Sequence, residues 1–345
     1  MKKLLMIITA ILAIFTFGCS SASTQTKEIN VFVGTDGLSV VFANNAPPQR
    51  VFESSDFPIV LRIRNNGAFS ITDQSQGINE LNGLKGLLTI GTEKDYVKST
   101  TFQSGERIFN GDKDNEIYFF VDGKTQINPQ GDELIVPIVG KTGKLDPQSE
   151  RRISTITANL CYPYKTVLST TLCLDPDIAG LNTGKKVCSV KDIDFNSGQG
   201  APIAITRIES QMLFDESTNK IRPQFVIYIE NKGKGTPVDV SSYLGMCRNT
   251  DYIKDTWNVA YLNAYTSGSM DNNQNKLECS PSPSSLEKGT GYVRFIDNKN
   301  FVKCTFKEGI DKNVDAFLSP LRIEITYGYV QTVATNFAIQ KPATI

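Results

Sequence analysis

The chain has 345 residues, with 36 Lys and Arg against 36 Asp and Glu, so its formal net charge is zero. That balance gives no support to a nucleic-acid partner, which needs a basic surface. There is also no histidine, which excludes a Ser-His-Asp triad, a Cys-His dyad and a histidine-ligated zinc.

The first predicted element is an export signal. Lys2 and Lys3 precede an apolar run from Leu4 to Phe17, followed by Gly18-Cys19 and a small polar string, Ser20 to Thr26. A run of about 14 residues is short of the roughly 20 that cross a bilayer as a helix. The charged start, short apolar middle and small-residue exit mark a cleavable signal peptide. Gly18-Cys19 resembles the end of a lipobox. That makes residues 1–18 the signal, Cys19 the lipid attachment site and residues 19–28 a flexible polar leader. Thr16 and Phe17 depart from the lipobox pattern, and ordinary cleavage after Ala22, giving a secreted protein, is the alternative. In either case the mature chain is extracytoplasmic, and in the first its partner is a membrane reached through a lipid anchor.

Beyond the leader the pattern is almost entirely strand. Leu38–Phe42, Pro58–Gly67, Gly86–Ile90, Ile117–Val121, Leu134–Val139, Ile153–Tyr164, Ile203–Ile208, Gln224–Gly233, Trp257–Tyr265 and Leu321–Tyr329 are short, β-branched or aromatic, and bounded by Gly, Asn, Asp or Pro. Ile156, Ala158, Leu160, Tyr162 and Tyr164 alternate onto one face, and so do Leu321, Ile323, Ile325, Tyr327 and Tyr329; both stripes are expected to line a core between sheets. No later segment holds a helical period. Gly140-Lys141-Thr142 imitates the end of a phosphate-binding loop, but Ile135 stands where that loop needs glycine, so the stretch reads as a turn after a strand.

The strands repeat. Pro58–Gly67 matches Gln224–Gly233 at an offset of 166, each an alternating strand running into Asn-x-Gly; Leu160–Leu174 matches Ile325–Ile339 at an offset of 165. A weaker match sets Gly34-Thr-Asp-Gly37 beside Gly198-Gln-Gly200. The reading is a tandem duplication: an all-β chain of two immunoglobulin-like β-sandwiches, over residues 29–180 and 185–345, with the seam between Asp175 and Lys186. Gly34–Leu38, Asn45–Pro48, Leu160–Tyr164 and Gly198–Pro202 are similar to segments of archaeal-type surface lipoproteins with tandem CARDB/immunoglobulin-like domains. That resemblance implies non-catalytic binding or structural work at the cell surface and transfers no active-site residue.

Cys161, Cys173, Cys188, Cys247, Cys279 and Cys304 remain once Cys19 is set aside, an even number suited to disulfides in an exported chain. Cys161 and Cys173 have no cysteine counterparts in the second repeat and would flank a hairpin centred on Val167, which pairs them with each other. Cys279 then pairs with Cys304 across a second hairpin, and Cys188 with Cys247. The main alternative joins Cys173 to Cys188 across the Pro176–Gly184 loop and leaves Cys161 to a bridge between domains.

Candidate sites are few. Asp112, Asp114 and Glu116 could present oxygens to calcium, though the spacing lacks the remaining ligands and central glycine of an EF-hand loop; no other metal and no cofactor is implied. Trp257, with Val259 and Tyr261, reads as a core pin, with an exposed aromatic platform as the alternative. Tyr243, Tyr252 and the loop Ser267–Ser285 are better placed for an extracellular protein or glycan ligand. The function expected is non-catalytic surface binding or adhesion. An accessory part of an envelope assembly, pairing through an edge near Pro47-Pro48, is second, and an extracellular hydrolase third.

Overall fold

Alternating apolar residues produce nineteen strands in the computed structural model, which describes residues 30–72, 85–181, 184–249, 254–266, 276–283 and 287–342. In the first half they are β1 (Leu38–Phe42), β2 (Arg50–Phe52), β3 (Asp56–Asn65), β4 (Gly86–Thr92), β5 (Val97–Phe102), β6 (Ile108–Asn110), β7 (Glu116–Phe119), β8 (Glu133–Thr142) and β9 (Arg151–Leu174). The second half adds β10 (Ile193–Asp194), β11 (Ile203–Asp215), β12 (Lys220–Asn231), β13 (Thr236–Val238), β14 (Val259–Thr266), β15 (Glu278–Ser280), β16 (Gly291–Arg294), β17 (Lys299–Thr305), β18 (Ile310–Asp311) and β19 (Phe317–Gln340). Among the described residues the helices are a five-residue α1 (Tyr243–Cys247) and one 3-10 turn at Lys254–Thr256. Gly140-Lys141-Thr142 closes β8 rather than forming a turn, and Pro47-Pro48 lies in the turn between β1 and β2, not on a strand edge.

The chain is all-β, but its two halves share one sheet. Each half owns a small sheet: β1-β3-β8-β5 in the first and β10-β11-β12-β17-β15 in the second, where β18 also joins β12. Both small sheets pack on a nine-stranded sheet of order β16-β14-β19-β9-β4-β7-β6, to which β13 and β2 attach at β19. One hydrophobic core runs through both halves.

The join is the antiparallel pairing of β9 with β19 over their whole 24-residue lengths. The repeat offset of 165 carries Pro163 onto Gly328, and these two residues face each other in the ladder. The equivalent strands therefore pair about an approximate two-fold centre. Each strand begins in its own half and ends in the other. Phe337, late in β19, stacks on Phe57 of β3 with ring centroids 5.0 Å apart, and Ile339 continues that contact beside β2.

The two apolar stripes lie where alternation puts them, with Ile156, Ala158, Leu160, Ile323, Ile325 and the four tyrosines all fully buried. At the centre Tyr162 faces Tyr329 and Tyr164 faces Tyr327. Their hydroxyls serve the Asn-x-Gly turns of both repeats. Tyr164 Oη donates to Asn65 Oδ1 at 3.1 Å, while Asn65 Nδ2 donates to the Phe69 carbonyl at 2.8 Å. In the second half Tyr329 Oη donates to Asn231 Oδ1 at 2.9 Å and Asn231 Nδ2 to the Gly235 carbonyl at 2.9 Å. Tyr162 and Tyr327 accept from the backbone of Leu38 and Ile203, which are themselves repeat equivalents. Burial pushes all four phenols up, Tyr329 to about 12. The glycine turns meet on the same centre: Gly34 N donates to Ser197 O at 2.7 Å and Gly200 N to Gly34 O at 2.8 Å. Gly198 has a φ of 67°, and a Cβ there would stand 2.3 Å from the Gly34 carbonyl oxygen, so the junction requires glycine.

The disulfides differ from the expected set. They join Cys161 to Cys247, Cys173 to Cys188, and Cys279 to Cys304. The Cys161–Cys173 bridge is replaced because there is no hairpin at Val167: both residues lie on β9, which runs straight through, placing them roughly 40 Å apart at about 3.3 Å per residue. Cys188 accordingly closes the loop after β9 rather than reaching Cys247. Three disulfides place the folded chain in an oxidising compartment.

Candidate functional site

Helix α1 crosses from the second half to the outer face of β4, β7 and β9 in the first. There Leu87, Cys161, Val238, Tyr243, Met246 and Cys247 form a second, smaller apolar cluster, with Trp257 packed against its rim. Tyr243, expected to face a partner, is instead buried and donates through Oη to the Lys85 carbonyl at 2.7 Å. Trp257 is half-buried on this satellite cluster and does not enter the main core. Tyr252 lies outside the described residues, as does most of the Ser267–Ser285 loop apart from 276–283.

The calcium candidates sit beside α1 and hold an arginine. Glu116 is 2% exposed, and its Oε1 accepts from the backbone N–H of Asp112 at 2.7 Å and of Lys113 at 3.0 Å. Arg248 donates to Glu116 through Nε at 3.0 Å and Nη2 at 2.9 Å, and reaches Asp112 Oδ2 at 2.7 Å. The Glu116 hydrogen bonds drive the Arg248 pKa up against the opposing pull of burial. Asp114 is exposed. With both inner carboxylates bound to a guanidinium, the cluster is an ion-paired latch between halves, and no metal-binding group of carboxylates or cysteines occurs among the described residues.

A large hollow lies at the far end of the second half. The β11–β12 ladder continues to Asp215 and Lys220, whereas β17 stops pairing at Gln224 and β10 covers only Arg207 and Ile208. β18 backs the β12 side at Lys220 and Ile221, but the β11 side past Ile208 has no strand beside it among the described residues, leaving Leu213 and Phe214 43% and 50% exposed. The tip of this hairpin is set by Asp215, whose Oδ1 accepts from Ser217 Oγ at 2.6 Å and Ser217 N at 3.0 Å; these bonds hold the Asp215 pKa below the usual carboxylate range. Between this hairpin and the segment around β15 opens a groove of about 960 Å³. Gln224, Thr305 and Glu278 stand directly opposite one another across β12, β17 and β15 on its floor. A three-residue strand such as β15 has little hold of its own. The Cys279–Cys304 bridge, at a paired position of that ladder, staples it in place.

Two smaller hollows continue from the groove. One of about 250 Å³ shares Glu278, Lys288 and Gly289 with it and extends to Lys276 and Lys307. The next, about 300 Å³, shares Glu287 with the second and is bordered by Asp239, Tyr261, Asn263, Thr290 and Thr326. Here Lys276 Nζ donates to Thr290 Oγ1 at 3.2 Å and Thr290 Oγ1 to Asn263 Oδ1 at 2.8 Å. Asp239 accepts from Ser241 N at 2.7 Å and from the Tyr261 hydroxyl. Burial, then the Asp239 contact, raises the Tyr261 pKa.

Most of the charges along these hollows neutralise one another: Arg222 with Asp215 at 3.7 Å, Lys288 with Glu278 at 4.0 Å, Lys276 with Glu287 at 2.9 Å. Sequence reasoning placed recognition in loops near Ser267–Ser285 and so came close to one wall. It missed the hairpin, whose only local signal is that the strand from Ile203 keeps alternating past Ile208, and it missed the Asp239–Asn263 end, which assembles from four separate segments.

No protein-family model and no curated protein matches the chain. Among solved structures, the chain is similar to the C-terminal domain of the Streptococcus pyogenes antigen I/II-family protein AspA, at 7% identity over 89% of this chain and 100% of that one, with a TM-score of 0.21. A structure described as BspA_C_mut matches at 7% identity, over 89% and 99% of the two chains, with a TM-score of 0.20. Likeness this slight transfers neither site nor function.

Proposed function

We propose that this chain is a non-catalytic binding protein of the cell exterior, held at a membrane through a lipid on Cys19 and recognising an extracellular ligand in the groove of its second half. The observation that carries the reading is the groove itself. It is open, built on rigid strands, stapled by a disulfide, and lies at the end of the second half. The described chain enters elsewhere, at the centre, where Gly34 is bonded to Ser197 and Gly200. Strands position a recognition surface more firmly than free loops do. A binding role is also supported by the state of the carboxylates, which hydrolysis would need as a free acid and base. Asp215, Glu278, Glu287 and Asp239, four of the five carboxylates that border the hollows, are each engaged by a turn, a cation or a phenol.

The test is attachment of the full-length protein, extracted in detergent, to intact cells. Attachment that Phe214→Ala weakens, with the three disulfides retained by mass, is the expected result. Attachment unaffected by any groove substitution moves recognition elsewhere, and a stable multi-subunit complex after membrane cross-linking favours an envelope-assembly role instead. Cys19→Ser is expected to shift the protein from the membrane fraction to the medium; retention in the membrane would refute the lipid anchor.

A further inference from the structure

We infer that the three hollows of the second half form one continuous track for a neutral, hydroxyl-rich chain, an oligosaccharide of several rings; this rests on the binding role proposed above. Continuity is the first ground. The 960 Å³ groove and the 250 Å³ hollow share Glu278, Lys288 and Gly289, and Glu287 borders both the latter and the 300 Å³ hollow. The groove alone is already at the upper end for a small-molecule site, and the extensions suit a ligand built of linked units.

Charge is the second ground. Three of the track's basic side chains are matched by carboxylates of the track itself. A polyanion needs a surplus of cations along its path, and here the four basic side chains, Arg222, Lys276, Lys288 and Lys307, are outnumbered by the five carboxylates of Asp215, Glu216, Glu278, Glu287 and Asp239. The third ground is the kind of polar group on offer. Peptide recognition along a sheet works by adding a strand to a free edge, where main-chain groups give the affinity. The groove floor is a sheet face, whose main-chain groups are spent in the β12–β17–β15 ladder. What faces the ligand is side-chain amide, carboxylate and hydroxyl: Gln224, Glu278, Ser280 and Thr305 in the groove, Asn263 and Thr326 at the far end. The amides and hydroxyls both donate and accept, as sugar hydroxyls do, and the carboxylate accepts from them. Each end also carries an aromatic ring that can cover the C–H face of a sugar, Phe214 at one and Tyr261 at the other, the latter beside Tyr292 with ring centroids 6.0 Å apart.

The experiment is binding of the full-length protein in detergent to an array carrying neutral oligosaccharides from disaccharides to octasaccharides, sulfated and uronic-acid glycans, and a reduced, carboxymethylated polypeptide. A neutral oligosaccharide is expected to bind more tightly than its own disaccharide, with affinity nearly unchanged between about 50 and 200 mM salt. Phe214→Ala should weaken it by up to about tenfold, and Asn263→Ala, at the opposite end, by about fivefold. Exposed Glu287→Gln serves in place of Asn263→Ala if that variant loses its disulfides or its cooperative melt. Preference for sulfated or uronic-acid glycans with a steep salt dependence overturns the assignment. So does binding of the polypeptide alone, saccharide binding untouched by both end variants, or no saccharide bound at all. Where cells are still bound through the groove without any saccharide, the ligand class falls and the binding role stands; where cells are not bound, the binding role itself falls.

Discussion

Arg248 and Glu324 show how single charged residues hold this fold. Glu116 is buried with two backbone donors and the Arg248 guanidinium around it. Removing the arginine leaves a carboxylate sealed from water, so Arg248→Ala should lower stability by about 3 kcal/mol, read from the denaturant midpoint at constant slope. A loss under about 0.5 kcal/mol, the range of an ordinary surface substitution, would show that the latch is incidental. Glu324 makes a different case. Burial would raise its pKa, but Lys165, 3.0 Å away and itself buried, together with Arg322 overcomes that and holds it below the ordinary value. A carboxylate with a depressed folded pKa contributes fully above its unfolded value of about 4.3, and the contribution disappears as pH falls through the folded value. Stability measured from neutral pH downward should therefore drop below about pH 4, and Glu324→Gln should flatten that limb; an unchanged acid limb in the variant would refute the assignment. Neither role was legible locally. Arg248 is 132 residues from Glu116, and Lys165 is 159 from Glu324, so Asp112 and Glu116 read in isolation resembled a cation site.

At the scale of elements, β9 and β19 decide the architecture. Their apolar stripes were plain in the sequence because alternation is local, as was the repeat that relates them. Their full length was not. Lys165 to Thr171 interrupts the hydrophobic pattern with polar residues, which reads as a turn, and the cysteine pairing built on that turn failed with it. These polar residues are partnered at the centre, where Lys165 meets Glu324 on one face and Thr166 meets Tyr327 on the core face. Since the later part of each strand belongs to the opposite half, a fragment ending at residue 180 lacks β19, which closes one side of its core. It should be unfolded, or dimeric with β9 paired to β9 about Pro163. A monomeric fragment with a cooperative melt, seen by sedimentation and circular dichroism, would contradict the shared-sheet account.

For the whole molecule, fold class followed from composition and period, while the candidate site did not. An all-β chain with buried tyrosine stripes is a statement about nearest neighbours along a strand. The track is a statement about which segments end up side by side: a hairpin at 213–224, a stapled strand at 278–280, and distant positions on β14 and β19. Spacing carries no trace of such an encounter. The sequence repeat sharpens the point, since the two halves that carry it have unlike surfaces. The first half has an open hollow of about 470 Å³ bordered by β5 and the Asp112–Asp114 turn, with the Arg248 latch against it, where the second has its long groove.

The glycine junction has a mechanical consequence. The described chain enters at Gly34, bonded to the residues just ahead of β11, and β11 and β12 run from that junction to the groove. Were a ligand held in that groove, traction between it and the entry point would be directed along these strands. Their rungs are then loaded sideways and together, in shear, instead of being peeled open one by one. Because the chain runs on from Gly34 into β1 and the halves share the β9–β19 ladder, both would carry that tension, with the Cys161–Cys247 cross-link resisting their separation.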